Sequence, residues 1–240
     1  MASTVVYAHA KLTLSLRITG VREDGYHLID AEMVSLDLAD RLEIDASGDG
    51  LELVGSDDAV VVAGDDHLVR RALRLCGRQA FVRLHKQIPA GAGLGGGSAD
   101  AAAVLQWAGY RDLEQAATIG ADVPFCLVGG RARVRGIGEI VEPLPYQEQV
   151  FTLLTPPTRC STPAVYAAWD ELGGPEGEHG NDLEPAALAV APELARARDE
   201  LGDATGVRPR LAGSGSTWWV PGAFPGDGRV VVRTVPAGWS

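Results

Sequence analysis

Apolar and polar residues alternate from Leu12 to Ile18. Leu12, Leu14, Leu16 and Ile18 fall on one face, and Lys11, Thr13, Ser15 and Arg17 on the other. A period of two predicts a strand with one buried face. Glu23-Asp24-Gly25 marks a turn. Further strands are expected at Val34–Leu38, Arg41–Asp45, Leu51–Val54 and Phe81–Leu84. Asp65 or Asp66 is positioned to cap a helix running to about Cys76, with Leu68, Val69, Ala72, Leu73 and Cys76 on one stripe. A glycine-rich stretch, Pro89 to Gly97, then runs into an alanine-rich helix, Ala99–Trp107, with Ser98 at the N-cap position. A short helix, Asp112–Ile119, stops at Gly120.

Pro143 to Gln149 is polar and carries two prolines, which makes it the expected boundary between domains 1–146 and 147–240. Beyond it come a strand at Phe151–Leu154, helices at Pro163–Leu172 and Pro192–Leu201, and strands at Thr217–Val220 and Val230–Val235. Asn181-Asp-Leu-Glu184 reads as a helix start. Strands and helices without regular βαβ alternation predict an α+β fold in two lobes.

Composition narrows the partners. Of 240 residues, 30 are glycine, and the formal net charge is −11. Acidic residues spread along the whole chain argue against a nucleic-acid binder, which would show a basic face. Cys76, Cys126 and Cys160 form no C-x-x-C pair, so neither a disulfide framework nor a zinc site is expected. No apolar run approaches membrane-spanning length, and Lys11 interrupts the one candidate leader stretch. A cytoplasmic protein with no membrane partner is the expectation; oligomeric state is left open.

The candidate chemistry centres on Gly91–Gly97, seven residues with five glycines. Glycines let backbone N–H groups approach and surround phosphate oxygens, and the following helix adds its positive N-terminus. Gly91-Ala-Gly93-Leu-Gly95-Gly96 also satisfies the dinucleotide pattern, but no second apolar strand with a terminal acid follows. The loop ends Gly-Gly-Ser-Ala-Asp, not Gly-Lys-Ser/Thr, and no His-Arg-Asp or Asp-Phe-Gly follows. A phosphate cradle of another type is the expectation. Asp122, beside Pro124, reads by itself as a turn residue at a helix end, and Lys11 as a solvated strand lysine.

Pro89-Ala-Gly-Ala-Gly-Leu-Gly-Gly-Gly-Ser-Ala-Asp100 resembles the central phosphate-binding motif of the GHMP kinase superfamily. Ala8-His-Ala-Lys11-Leu-Thr-Leu14, Gly25-Tyr26-His27, Gly120-Ala-Asp122-Val-Pro-Phe125, Asn181-Asp-Leu-Glu184 and Gly213-Ser-Gly-Ser216 follow in the order found in one branch. In that branch the acceptor is a small cytidine diphosphate compound. The resemblance spans about residues 5 to 220. It implies an N-terminal lobe like ribosomal protein S5 domain 2, a ferredoxin-like C-terminal lobe and an active site between them. It also implies ATP with Mg²⁺, and transfer of the γ-phosphate to the 2-hydroxyl of a methylerythritol moiety in non-mevalonate isoprenoid synthesis.

By the same resemblance Asp122 is the catalytic aspartate and Lys11 its partner. Pro89, Gly91, Gly93, Leu94, Gly95, Gly96, Gly97 and Ser98 hold the phosphates, with Ser98 a candidate Mg²⁺ contact. His67 stands where asparagine helps recognise adenine, and Thr13 where asparagine faces the acceptor. Tyr26 and His27 lie at the cytidine end. Tyr166 reads either as a base-stacking aromatic or as a core residue of its helix. Gly213, Ser214 and Gly215 read either as a hairpin turn or as a third motif near the phosphates. Two other functions stay in view, a kinase for another small alcohol and a non-catalytic nucleotide sensor. Retention of both Lys11 and Asp122 argues against the sensor.

Overall fold

The computed structural model describes residues 3–54, 60–62 and 64–238. Strands β1 (Thr4–Val21) and β2 (His27–Asp45) pair antiparallel around the turn at Gly25, whose φ of 85° suits glycine. β1 extends well beyond the expected Leu12–Ile18, and the two strands expected at 34–45 are one. Asp40 interrupts their apolar pattern, but its buried carboxylate is bonded to Lys86 Nζ and to the backbone N–H groups of Gln87 and Ile88. The strand therefore runs through it.

The expectation of one buried face on β1 is corrected. Lys11 and Thr13 are as buried as Leu12. Irregularities in pairing at His9/Lys11 and Thr13/Ser15 break the alternation, and Lys11 N donates to Leu94 O on the outer edge of the strand.

β3 (Gly50–Val54), β4 (Val60–Val62), α1 (Leu68–Leu75) and β5 (Phe81–His85) follow. His67 caps α1, its Nδ1 accepting from Val69 N at 3.3 Å, so neither Asp65 nor Asp66 is the cap. His67→Ala should cost about 1 kcal/mol and lower the midpoint of thermal unfolding by a few degrees, with His67→Asn restoring it. An unchanged midpoint would show that the cap contributes nothing.

α2 (Gly96–Trp107) begins earlier than expected. Gly95, left-handed at φ 69°, is its N-cap and its carbonyl accepts from Ala99 N, which puts Ser98 inside the first turn. α3 (Leu113–Ala117) is capped by Asp112. Then comes α4 (Val123–Val128), which the sequence pattern left unassigned because six apolar residues show no period. Asp122, in the turn that precedes the helix, is its N-cap residue, and the proline falls in the first turn, where its missing N–H is harmless. β6 (Arg131–Gly136) and β7 (Ile140–Pro143) complete a seven-stranded sheet of order β4-β3-β5-β2-β6-β7, with β1 paired to β2.

Past residues 144–149 the chain builds a second sheet. β8 (Val150–Leu154) is followed by α5 (Thr162–Glu171), α6 (Glu184–Val190) and α7 (Leu194–Thr205). β9 (Arg210–Leu211), β10 (Trp218–Pro221) and β11 (Arg229–Arg233) then give the order β11-β8-β10-β9. Numbered within this half, that is 4-1-3-2, the ferredoxin-like arrangement with its second helix replaced by loop 222–228. Thr152, fully buried on β8, donates to Gly222 O and accepts from Phe224 N as the loop crosses. The two sheets share a core in which Ala10, Leu12, Val34 and Leu36 meet Phe151, Leu153, Trp219 and Val232. Among the described residues no helix is long and apolar enough to cross a membrane.

Candidate active site

The glycine loop is anchored at both ends. Asp40 holds the backbone N–H groups of Gln87 and Ile88, and Lys11 N bonds Leu94 O at 2.9 Å. Along the loop Gly91, Gly93 and Gly95 all have positive φ, at 71°, 76° and 69°. Ala92 and Leu94 alternate with them and bury their side chains in the shared core. Among the described residues, no N–H from Gly91 to Ser98 donates to any protein group. Unpaired donors leading into the N-terminus of a twelve-residue helix have the chemistry that suits an anion.

Lys11 lies under this loop. A Cβ added at Gly95 would come within 2.7 Å of its Cγ, so the residue above it must be glycine. Its Nζ donates to Thr13 Oγ1 at 3.1 Å and lies 3.5 Å from Asp122 Oδ2. Lys11 is buried, while Asp122 keeps about a third of its side chain (32%) open. Asp122 makes no side-chain bond to the N-terminus of α4, so its carboxylate stays available.

The Gly213–Ser216 segment takes the hairpin reading. It is the hairpin loop between β9 and β10, with Ala212 N bonded to Thr217 O, and it abuts the glycine loop through Thr217 N to Ala92 O. Buried Asn181 donates to Leu211 O and Gly213 O, and Asp182 accepts from Ile18 N. The Asn181-Asp182 pair therefore does more than start α6, because it ties the third glycine segment to β1 at Leu16–Ile18.

Lys11, Thr13, Asp122, the glycine loop, Gly213 and Ser214 line one cavity of about 610 Å³, with His27, His67 and Tyr166 on its walls. Of the residues singled out from the sequence, only Tyr26 and Gly215 do not line it. Tyr26 is more than half exposed and faces a neighbouring hollow with Arg22. Gly215 backs the loop, its carbonyl 2.7 Å from where a Cβ on Gly93 would be. Tyr166 reaches the cavity and also packs against the second-half core.

Sequence reasoning passed over a buried charge cluster in the same wall. Lys86 Nζ bonds Asp40 and, at 2.7 Å, Asp100. The available signals were a lone acid inside an alanine-rich helix and a lysine three residues before the loop. Burial pushes the Asp100 carboxyl up from 3.8 to about 7, against the pull of Lys86. For Lys86, burial acts against its charge, but Asp100 and Asp40 outweigh it and the pKa rises. His67 is lowered, by burial first and then by Lys86 and Arg70, which favours the neutral ring. Since its Nδ1 accepts from Val69 N, the neutral ring carries its proton on Nε2.

The Asp100 shift has a sign that can be tested. Between pH 4 and 7 the folded chain holds a proton that the unfolded chain releases, so this group's contribution to stability falls as pH rises. Urea unfolding of wild type and Asp100→Asn should therefore show wild type losing ground steadily over that range. A difference that is flat or grows would contradict it.

Residues 66–130 match the family model for the GHMP kinases N terminal domain. The chain is 41% identical over 229 residues to a 4-diphosphocytidyl-2-C-methyl-D-erythritol kinase from Paracoccus denitrificans, covering 88% of this chain and 84% of that one. It is 36% identical over 270 residues to the protein of the same name from Ruegeria pomeroyi, covering 97% and 95%. A crystal structure of 4-(cytidine 5'-diphospho)-2C-methyl-D-erythritol kinase superposes with a TM-score of 0.73 at 32% identity, covering 96% and 98%. With a glycine cradle, a lysine–aspartate pair and a third glycine segment around one cavity, and with this identity along nearly its whole length, the chain belongs to the 4-diphosphocytidyl-2-C-methyl-D-erythritol kinase family of GHMP kinases.

Proposed function

We propose that this chain transfers the γ-phosphate of ATP to the 2-hydroxyl of 4-diphosphocytidyl-2-C-methyl-D-erythritol. The observation that carries the reading is the Lys11–Asp122 pair at 3.5 Å in a cavity lined by a glycine loop whose N–H groups are unpaired among the described residues. Relatives bearing that kinase's name over nearly the whole chain support it.

Each residue then has a task. The N–H groups of Gly91 to Ser98 and the N-terminus of α2 hold the phosphates where negative charge accumulates during transfer. Asp122 accepts or orients the proton of the attacking hydroxyl. Lys11, held by Thr13 and the loop above it, offsets the charge shared by Asp122 and the transferred group. His67 presents its Nε2–H to the adenine. Thr13 faces the acceptor, and His27 with Tyr166 receives the cytosine. Gly213 and Ser214 close the phosphate side. Tyr26, exposed at the rim, would have to swing inward to cover the base. Residues 1–146 and 147–240 act as the two lobes.

Mg²⁺ fits only in part through protein ligands. Among the described residues no group of three His, Cys, Asp or Glu side chains is arranged for a metal. Ser98 offers a hydroxyl near the Gly120 turn, where a Cβ on Gly120 would be 3.6 Å from its Oγ. An ion carried by nucleotide phosphates and water, with Ser98 as a protein contact, would supply charge neutralisation at the β- and γ-phosphates.

The test is ADP release by the purified protein with Mg-ATP and the cytidine-linked acceptor. Turnover establishes the acceptor. ATP binding without turnover, while another small alcohol is phosphorylated, overturns it.

A further inference from the structure

We infer that Asp170 is the positioning residue that sets which ring nitrogen of His27 carries the proton, so that His27 selects a cytosine base over uracil. This rests on the reading above that His27 meets the base. Tyr166, Trp169 and Asp170 are spaced i, i+3, i+4 on α5 and so share one face of that helix. All three converge on the His27 ring. Tyr166 lies against it at 4.7 Å with a 40° tilt, and Trp169 meets it edge-on at 5.5 Å. Asp170 Oδ1 is 2.8 Å from His27 Nε2. Trp169 is itself held by its Nε1 donating to Pro175 O.

The chemistry follows from the donor inventory. An ionised carboxylate only accepts, so Nε2 must donate, and in the neutral ring Nδ1 is left with a lone pair. Nδ1 has no partner among the described residues and is not sealed from solvent, although only 9% of the His27 side chain is exposed. His27 belongs to the cavity wall. A lone pair there suits the amino group at position 4 of cytosine and opposes the carbonyl that uracil carries at the same place. A site built for that hydrogen bond discriminates more strongly than shape alone would. Without Asp170 the ring is free to take the other tautomer, and the selection weakens.

The test uses Asp170→Ala, His27→Ala and the double variant of the full chain, with the cytidine-linked acceptor and its uridine counterpart. Ring ¹⁵N resonances of His27 are recorded alongside. Asp170→Ala should reduce kcat/KM for the cytidine acceptor about tenfold, through KM, and narrow the preference for cytidine. It should add nothing in the His27→Ala background, because it acts through that ring. Wild-type resonances should show Nδ1 unprotonated, and Asp170→Ala a mixture of tautomers. Additive losses, an unchanged base preference, or a wild-type ring protonated on Nδ1 would each overturn the inference. A wild type that turns over but ignores the base overturns the selecting role. A wild type without kinase activity overturns the underlying reading, and the ring resonances still decide whether Asp170 sets the tautomer.

Discussion

Asp122→Asn is expected to lower kcat by about 100- to 10,000-fold while leaving ATP affinity unchanged. The side chain is placed by the start of α4 yet makes no capping bond there, and its carboxylate faces Lys11 at 3.5 Å. An amide of the same shape fills the space but cannot take the hydroxyl proton, and it no longer matches the Lys11 charge. The loss should fall on the chemical step, because the phosphate cradle is made of backbone donors from a different segment. Single-turnover phosphate transfer and calorimetric titration with ATP separate the two. Loss of ATP binding together with turnover would make Asp122 structural, and undiminished turnover would remove it from the mechanism.

Gly93→Ala should be the most damaging single change in the cradle. A Cβ at that position would lie 2.2 Å from Ala212 O and 2.7 Å from Gly215 O, both backbone atoms that cannot turn aside. The residue also sits at φ 76°, where an L side chain is strained by about 1–2 kcal/mol. With overpacking added, the expected loss is on the order of 3 kcal/mol, or roughly 10 °C in the midpoint of unfolding for a chain of this size. ATP affinity should fall with it, since the free N–H groups on either side must move. Gly109→Ala is the control. It has φ 73° with nothing within 4 Å of the added Cβ, so it meets only the backbone strain. Equal losses in the two variants would mean that the close approach of the third glycine segment is unimportant.

These two predictions differ in how far the sequence alone supports them. That residues 91–97 form a glycine loop running into a helix was legible, because five glycines stand directly ahead of an alanine-rich stretch. That Gly93 is the position of closest approach was not, since the atoms it would strike belong to residues 212 and 215, over a hundred positions later. Asp122 likewise shows nothing by local pattern. Its neighbours Val123 to Val128 are uniformly apolar, so even the helix it begins went unread, and only the ordered motifs of the family singled it out. The charge cluster of Asp40, Lys86 and Asp100 went unread for the same reason. Each residue looks like an ordinary surface charge until burial brings the three together.

By itself the sequence determined the α+β mixture, the place of most strands and helices, the glycine loop and the ordered motifs of a GHMP kinase. These depend on periodicity, turn chemistry and short-range spacing, all of which are local. The tertiary structure decided that β1 is buried on both faces around Lys11 and Thr13, that Gly95 and His67 rather than Ser98 and Asp65 or Asp66 begin their helices, and that Asp170 meets His27. Those outcomes depend on which distant segments cover a residue and which hydrogen-bonding groups remain unpaired beside it. Burial and partnership of that kind arise only when chain segments far apart in sequence are packed against one another.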